Sequence, residues 1–188
     1  MIGDMTANAA HRVFFAMIPS EETVERLAHD LAEVAWRKDS RLRWVAKSNW
    51  HVTLRFVGDI AEPLVADLQQ VLTSAASQHT RFEMAFTAVE AFPSARRPLV
   101  IAATGTAPAA GDALVGSLEE SCQALSLAAE KRPWRPHMTV ARVRGRRRFE
   151  LPTTPTQVKF MVSRICLMES VATERGRAYV PLRWAALR

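Results

Sequence analysis

The sequence feature that most constrains this chain is a short motif that occurs twice. The first copy, HVTLRFVG, covers residues 51–58, and the second, HMTVARVRG, covers residues 137–145. Each copy begins His-x-Thr, continues through β-branched and apolar residues, and stops at a glycine, which predicts a β-strand. Because side chains alternate between the two faces of a strand, the His and the Thr of each copy share one face. Two such strands facing each other would form a site with two imidazoles and two hydroxyls.

The order of predicted elements suggests a diverged internal duplication. A strand and an amphipathic helix precede each motif: residues 12–18 are the first strand, and the helix after it is predicted from Ser20 to about Trp36. Strands and helices mix without strict alternation, which favours an α+β fold with a largely antiparallel sheet. We therefore expect two pseudo-symmetric lobes with outer helices and a central cleft. Since no Pro/Gly/Ser-rich linker separates the halves, we expect a single domain over residues 1–188.

The ends of some strands are less clearly marked. The first motif strand is expected to end at Gly58-Asp59. Two closing strands are predicted over residues 157–169 and 178–184, because both stretches are rich in apolar and β-branched residues.

Composition and charge restrict the class of protein. Hydrophobic residues make up 48% and charged residues 23%, which is typical of a globular chain. No apolar run approaches the roughly 18 residues of a membrane span, and the N-terminus lacks the pattern of a secretory signal, so we expect a cytoplasmic protein without membrane contact. Cys122 and Cys166 are expected to be buried thiols and not a disulfide. The net charge of +6 favours anionic partners such as nucleic acid.

Two histidines suit a reaction that needs one base and one acid near neutral pH. The ordinary imidazole pKa of about 6.5 lets one ring be neutral while the other is protonated. Opening a cyclic phosphodiester has this requirement, since water must lose a proton and the departing ribose oxygen must gain one. Thr53 and Thr139 could donate hydrogen bonds to the phosphoryl oxygens. The residues alone do not decide which of His51 and His137 is the acid.

Other chemistries find less support in the sequence. None of the five histidines has the spacing of a zinc-binding helix, three convergent metal ligands are not evident, and there is no glycine-rich phosphate loop. We therefore expect catalysis without metal or cofactor. The arginine run at 146–148 could add positive charge near the site, although such a run is more often a solvated surface.

The aromatic residues divide between core and candidate binding positions. Trp50 and Trp134 adjoin the two motifs and are candidates, with Trp44, for stacking on a base near the cleft. Strict alternation places Phe56 on the face opposite His51, in the core.

At these residues the sequence resembles the two-histidine (2H) phosphoesterase superfamily and, more narrowly, the LigT-like RNA 2′,3′-cyclic phosphodiesterases, also called 2′-5′ RNA ligases. The resemblance extends over nearly the whole chain and is carried by residues 12–17, 44–45, 49–59, 92–93, 97–98 and 135–144. Tyr179, Leu182 and Trp184 near the C-terminus also fit it. It implies a bilobal α+β fold and metal-independent hydrolysis of a terminal 2′,3′-cyclic phosphate to a 2′-phosphate. The implied partner is RNA with such an end, or a small cyclic nucleotide, bound by a monomer. The alternative is an RNA-binding or 2′-5′ end-joining protein in which hydrolysis is incidental.

The resemblance also implies roles for individual residues. His51 would donate a proton to the 3′ oxygen, His137 would activate water, and Thr53 and Thr139 would hold the phosphate. Arg142 would help to bind it. However, Arg142 is an odd number of residues from His137, so a regular strand would direct it away from the cleft; the strand must twist, bulge or end there.

Overall fold

The computed structural model describes residues 10–145, 153–174 and 176–188. Within these residues there are nine strands, which in chain order are β1 (Ala10–Met17), β2 (Leu42–Trp44), β3 (Val52–Ala61), β4 (Phe82–Phe92), β5 (Val100–Thr104), β6 (His137–Val143), β7 (Thr154–Val162), β8 (Arg164–Thr173) and β9 (Gly176–Ala186). The three α-helices are α1 (Glu21–Asp30), α2 (Pro63–Gln78) and α3 (Ala109–Ala124). Short 3₁₀ turns cover Ala35–Lys38 and Lys47–Asn49.

The strands form one antiparallel sheet whose order is symmetric about its centre. The order is β7-β4-β5-β6-β3-β1-β8-β9, with β2 paired to β6 beside this path. On one side β3, β1, β8 and β9 follow each other, and on the other side β6, β5, β4 and β7 do so in the corresponding positions. The halves meet at one residue pair, Val52 of β3 with Met138 of β6. This arrangement confirms the predicted α+β fold with an antiparallel sheet and explains its two-lobed form, because β3 and β6 separate on either side of that pair.

The two halves are interleaved along the chain. The stretch 157–169, predicted as one strand, is two strands separated at Ser163, and they belong to different halves: β7 pairs with β4, and β8 with β1. Helix α1 follows β1 of one half but packs on β7 of the other, while α2 packs on β8 and β9. Local periodicity does not reveal such a crossing, since both strands are apolar and adjacent.

Helix α1 is shorter than predicted. Its N-terminus is as expected, with the Ser20 hydroxyl accepting a hydrogen bond from the Thr23 backbone N–H. The helix ends at Asp30 instead of continuing to Trp36. Trp36 forms tertiary contacts outside the helix: its indole stacks on Trp44 with ring centroids 5.8 Å apart and donates to the Thr154 hydroxyl. These contacts outweigh the helical periodicity.

The sheet buries apolar residues on both faces. The larger core lies between the sheet and the helices and includes Val13, Phe15 and Met17 of β1, all fully buried. The alternate residues of β1, Phe14 and Ala16, form a smaller cluster on the opposite face with Cys166 and Met168.

The sulfur chemistry agrees with the prediction from sequence. Cys122 and Cys166 are free and buried, as predicted. Burial raises the pKa of each thiol to about 11, so both are inert core residues. None of the helices among the described residues is both long and apolar enough to cross a membrane.

Candidate active site

A cleft of about 340 Å³ lies where β3 and β6 separate. It contains residues of both motifs and of the C-terminal strands. Its lining consists of Arg12, Phe14, Val45, Asn49, His51, Thr53, Phe56, Thr139, Arg142, Ser170, Arg177 and Tyr179. Among the described residues that line it there are three arginines and no carboxylate, so the cleft is suited to an anion.

The pairing of Val52 with Met138 fixes how the two motifs face each other. These two residues follow the motif histidines directly, and their strands are antiparallel. Continuing this register by one residue in each direction sets Thr139 opposite His51 and Thr53 opposite His137. Val52 and Met138 are themselves fully buried in the larger core, so the motif histidines and threonines beside them lie on the opposite face of the sheet, the face that carries the cleft. The duplicated motif thus forms a site with approximate twofold symmetry.

Each motif strand carries a β-bulge at the corresponding position. On β3, Phe15 pairs with Arg55 but Ala16 pairs with Thr53, which leaves Leu54 as an extra residue. On β6, Ile101 pairs with Ala141 but Ala102 with Thr139, which leaves Val140 extra. A bulge of this kind shifts the alternation by one residue. Both bulges lie three positions after their histidine and therefore redirect the residues that follow.

The bulges change the predicted directions of two side chains. Arg142 lies on the same face as His137 and Thr139 and lines the cleft, because Val140 is the extra residue. Phe56 lies at the equivalent position of the first motif. The prediction that it belongs to the core was wrong: its side chain lines the cleft and is 44% exposed. A second irregularity at Val57-Gly58, where Gly58 has a φ of +99°, lets β3 continue to Ala61 instead of ending at Gly58 as predicted.

Both histidines are oriented by the same backbone hydrogen bond. Nδ1 of His51 lies 2.8 Å from the carbonyl oxygen of Asn49, and Nδ1 of His137 lies 2.8 Å from that of Arg135. A carbonyl only accepts, so Nδ1 carries the hydrogen in both rings. Nε2 is therefore the nitrogen of each imidazole that can exchange a proton with a ligand.

Aromatic rings hold the two imidazoles in place. The ring of His51 contacts Phe14 and Tyr179, with centroid distances of 4.9 and 4.7 Å, and these two rings also contact each other at 5.3 Å. The ring of His137 stacks on Phe92 at 4.1 Å and lies outside the cleft lining, whereas Thr139 is within it. These contacts restrict the rotation of both rings and fix the direction of Nε2.

The pKa of each motif histidine is lowered. Burial is the main cause for His51, the positive charges of His137 and Arg142 add to it, and the hydrogen bond to Asn49 opposes it. Burial is also the main cause of the lowered pKa of His137, where the hydrogen bond to Arg135 raises it and the charge of Arg135 lowers it. Without a bound anion, both rings therefore favour the neutral form that can accept a proton.

Three arginines surround the cleft with different partners. Arg142 donates a long hydrogen bond of 3.4 Å to the Tyr179 hydroxyl. Arg177 donates to the backbone and side-chain oxygens of Ser170 at 3.3 Å. Arg12 pairs with Asp59 and lies 4.8 Å from the ring centroid of Phe56.

Arg12, Arg177 and Tyr179 were missed as site residues by the sequence reasoning. They reach the cleft through the pairing of β1 and β9 with strands distant in sequence. Among them Tyr179 is one of the C-terminal residues that fit the family resemblance, which was a signal available in the sequence.

None of the three tryptophans predicted to stack on a base lines the cleft, and Trp44 is stacked on Trp36 instead. Trp50 is 4% exposed, belongs to the core and donates to the carbonyl of Val45, so it cannot stack on a ligand base. Trp134 is partly buried behind the first motif, where its indole donates to the Thr53 carbonyl at 2.9 Å. A Cβ at Gly111 would come within 2.9 Å of this indole, so the glycine permits the close approach. The arginine run at 146–148 lies outside the described residues.

Within the part of the chain that the structure describes, no group of three or more His, Cys, Asp and Glu side chains is arranged to hold a metal ion.

Comparisons with known proteins agree with this geometry. A protein of Aeropyrum pernix named RNA 2′,3′-cyclic phosphodiesterase is 30% identical over an alignment of 152 residues, and the match covers 75% of this chain and 84% of the relative. The fold is similar to that of TT0787 of Thermus thermophilus, with a TM-score of 0.83 and 22% identity over 94% of this chain and 98% of the other. It is also similar to E. coli LigT complexed with 3′-AMP, with a TM-score of 0.78 and 21% identity over 95% of this chain and 99% of LigT. The family model of the 2′-5′ RNA ligase superfamily matches residues 16–174, and this chain belongs to that superfamily.

Proposed function

We propose that this protein is an RNA 2′,3′-cyclic phosphodiesterase that opens a terminal cyclic phosphate to a 2′-phosphate. The observation that carries the proposal is the approximate twofold arrangement of the two His-x-Thr motifs around one cationic cleft. The name of the Aeropyrum pernix relative supports the same activity. The cleft is lined by residues from both halves, so we propose that residues 1–188 act as a single domain, and we propose that they do so as a monomer.

In the proposed reaction the cyclic phosphate binds between the two motifs. Arg142 and the hydroxyls of Thr53 and Thr139 contact its non-bridging oxygens. The negative charge of the phosphate raises the pKa of the nearby imidazoles, which opposes the lowering caused by burial and by Arg142. Substrate binding therefore promotes protonation of one ring, which the reaction requires.

Proton transfer then follows the orientation of the rings. Nε2 of His137 accepts a proton from water as the water oxygen attacks phosphorus. The bond between phosphorus and O3′ breaks, and Nε2–H of His51 donates its proton to O3′. The products are a 2′-phosphomonoester and a free 3′ hydroxyl, so one water is consumed and the protons balance. The hydrogen bonds that Nδ1–H of each ring donates to a backbone carbonyl keep Nε2 directed to the substrate throughout.

The activity is tested with an oligoribonucleotide that ends in a 2′,3′-cyclic phosphate, incubated with EDTA. We expect conversion to the 2′-phosphate, resolved from the 3′-phosphate by chromatography. Absence of turnover, or turnover only after a metal is added, contradicts the proposal. A 3′-phosphate product would show that O2′ and not O3′ is the leaving oxygen, while the protein would still be a phosphodiesterase.

The separate roles of the two histidines are tested with a sulfur leaving group. A cyclic phosphorothiolate with sulfur in place of O3′ needs no proton on its leaving group, because a thiolate is a stable anion. His51→Ala should regain much of its lost rate on this substrate, while His137→Ala should not. Rescue of His137→Ala alone would exchange the two roles.

A second candidate is RNA end joining, in which a ribose 5′ hydroxyl replaces water as the nucleophile. The match to the 2′-5′ RNA ligase superfamily favours it. The same two histidines would serve, since one would take the proton of the 5′ hydroxyl and the other would protonate O3′. Joining is thus the reverse of the reaction in which a 2′-5′ bond is cleaved to a 2′,3′-cyclic phosphate and a 5′ hydroxyl. The two candidates are separated by incubating the protein with an RNA that ends in a 2′,3′-cyclic phosphate and an RNA that begins with a 5′ hydroxyl, and by measuring the ratio of joined to hydrolysed product. RNA binding that survives in His51→Ala and His137→Ala while both products disappear assigns the activity to the site.

A further inference from the structure

One row of side chains connects the cleft with the edge of the sheet. The register pairs Thr53 of β3 with Ala16 of β1, Ala16 with Cys166 of β8, and Cys166 with Trp184 of β9. Directly paired residues of antiparallel strands point to the same face, so Trp184 lies on the face that carries Thr53. With strands about 4.8 Å apart, the Cα atoms of Thr53 and Trp184 are separated by about 14 Å.

The side chains along this row are apolar, and the row ends in an exposed aromatic ring. Ala16 and Cys166 are fully buried and belong to a cluster against which the partly buried Ile18 and Tyr179 pack. The side chain of Trp184 is 38% exposed. The guanidinium of Arg164 lies 4.2 Å from its ring centroid and adds a positive charge at this end of the row.

The equivalent row in the other half has different chemistry. Thr139 pairs with Ala102 of β5, and Ala102 pairs with Glu90 of β4. Glu90 occupies the position of Cys166 and accepts a hydrogen bond from the Thr104 hydroxyl. A carboxylate on this side repels a polyanion, whereas the row to Trp184 offers an aromatic ring and an arginine.

We propose that Trp184, with Arg164, is a stacking site for a base upstream of the cyclic phosphate, so that the RNA leaves the cleft across β1, β8 and β9. This inference rests on the proposed function, since it places the RNA terminus between the two motifs. Stacked nucleotides advance about 3.4 Å each and extended ones further, so a nucleotide a few positions from the end reaches Trp184. The protein then prefers oligonucleotides to mononucleotides without reading their sequence.

The test compares two substrates: a nucleoside 2′,3′-cyclic phosphate and a pentanucleotide ending in the same group. Trp184→Leu keeps apolar bulk but removes the aromatic ring. We expect it to lower kcat/KM about tenfold on the pentanucleotide, a typical value for the loss of one stacked base, and to leave the mononucleotide unchanged. Trp184→Phe should retain most of the pentanucleotide rate. The unchanged mononucleotide rate also reports that the variant is folded.

Val180 provides a matched control. It lies on the same strand, pairs with Glu169 on the helix-facing side, and is 44% exposed. Val180→Ala should behave as wild type on both substrates. An equal change on both substrates, no change in Trp184→Leu, or the same loss in Val180→Ala overturns the inference.

A binding measurement separates this inference from the proposed function. If wild type turns over neither substrate, the proposed function fails. The affinity of wild type and Trp184→Leu for a labelled pentanucleotide, measured by fluorescence anisotropy, then still decides the role of Trp184. Equal affinities reject the stacking site, and a roughly tenfold weaker affinity of the variant supports it.

Discussion

Arg55 is buried behind the first motif, and its replacement should strongly destabilise the fold. Its side chain is 4% exposed and makes three hydrogen bonds: to the Glu119 carboxylate at 2.8 Å, to the Phe56 carbonyl at 2.7 Å and to the Ala128 carbonyl at 2.6 Å. The bulge at Leu54 turns this arginine into the core side of β3, opposite Phe15. It thereby connects β3 with helix α3 and the segment that follows it.

Arg55→Met keeps much of the volume and removes every donor. The carbonyls of Phe56 and Ala128 lose their partner, at about 1–3 kcal/mol for each buried group left unsatisfied. Glu119 keeps its hydrogen bonds from Gln123 and from the backbone of Glu130, which limits the cost at the carboxylate. Breaking a buried pair in this way typically costs about 3–5 kcal/mol, and we expect a loss in that range. For a chain of this size the corresponding decrease in Tm is about 10 °C.

Urea unfolding followed by circular dichroism measures this loss. Lys159→Met is the matched control, because Lys159 forms an ion pair with Glu83 between two strands but its side chain is 63% exposed. An exposed pair contributes about 0–1 kcal/mol, so the control should remain close to wild type. A loss below about 1 kcal/mol in Arg55→Met, or equal losses in both variants, would refute the assignment of Arg55 as a structural anchor of β3.

Three further predictions concern charge and pH. The pH profile of kcat/KM should be bell-shaped with its optimum below about pH 6.5, because burial lowers the pKa of His51 and His137 in the free enzyme. The profile of kcat should lie at higher pH, because bound phosphate raises both pKa values. Flat profiles, or profiles of kcat and kcat/KM that coincide, contradict this. Arg142→Lys keeps the charge but loses the planar fork, so kcat/KM should decrease about 10- to 100-fold, and an unchanged value excludes phosphate contact by this arginine. The pKa of His11 is raised, chiefly by its hydrogen bond to Glu169, so the imidazole binds a proton more tightly in the folded than in the unfolded protein. The stabilisation of the fold by protonated His11 is therefore complete below about pH 6.5 and is lost as pH rises through the pKa of His11 in the folded protein. Urea unfolding between about pH 6 and 8 should show that wild type loses stability relative to His11→Gln. Free energies of unfolding that change with pH in parallel for the two proteins would argue against this role.

The motifs and the fold class were predictable from sequence for different reasons. Two copies of His-x-Thr within apolar runs indicate two similar strands, because the alternation of side chains along a strand can be read from the local sequence. The role implied for Arg142 required a twist, a bulge or a strand end after His137, but the positions of the bulges at Leu54 and Val140 were not predictable, since an extra residue is recognised only against its partner strand. For this reason the directions of Phe56 and Arg142 required the structure.

Burial of the tryptophans and the contribution of the last strand depend on contacts between distant residues. Trp50 next to a motif is equally compatible with a binding ring and a core ring, and the core position depends on tertiary contacts such as its hydrogen bond to the Val45 carbonyl. Trp184 fits the family resemblance, but nothing in the sequence relates it to the cleft. Its relation to Thr53 arises from four strands whose order in the sheet differs from their order in the chain.

The position of β1 between β3 and β8 has a consequence for how the protein is made. His11 of β1 contacts Glu169 of β8, 158 positions later. A nascent chain can pair β1 with β3 early, but the other edge of β1 stays open until the hairpin of β8 and β9 has left the ribosome. Such long-range pairing slows folding and exposes an unpaired strand edge during synthesis. Because Tyr179 and Arg177 arrive with that same hairpin, the cleft gains its complete lining only once this hairpin has been synthesised and has docked on β1.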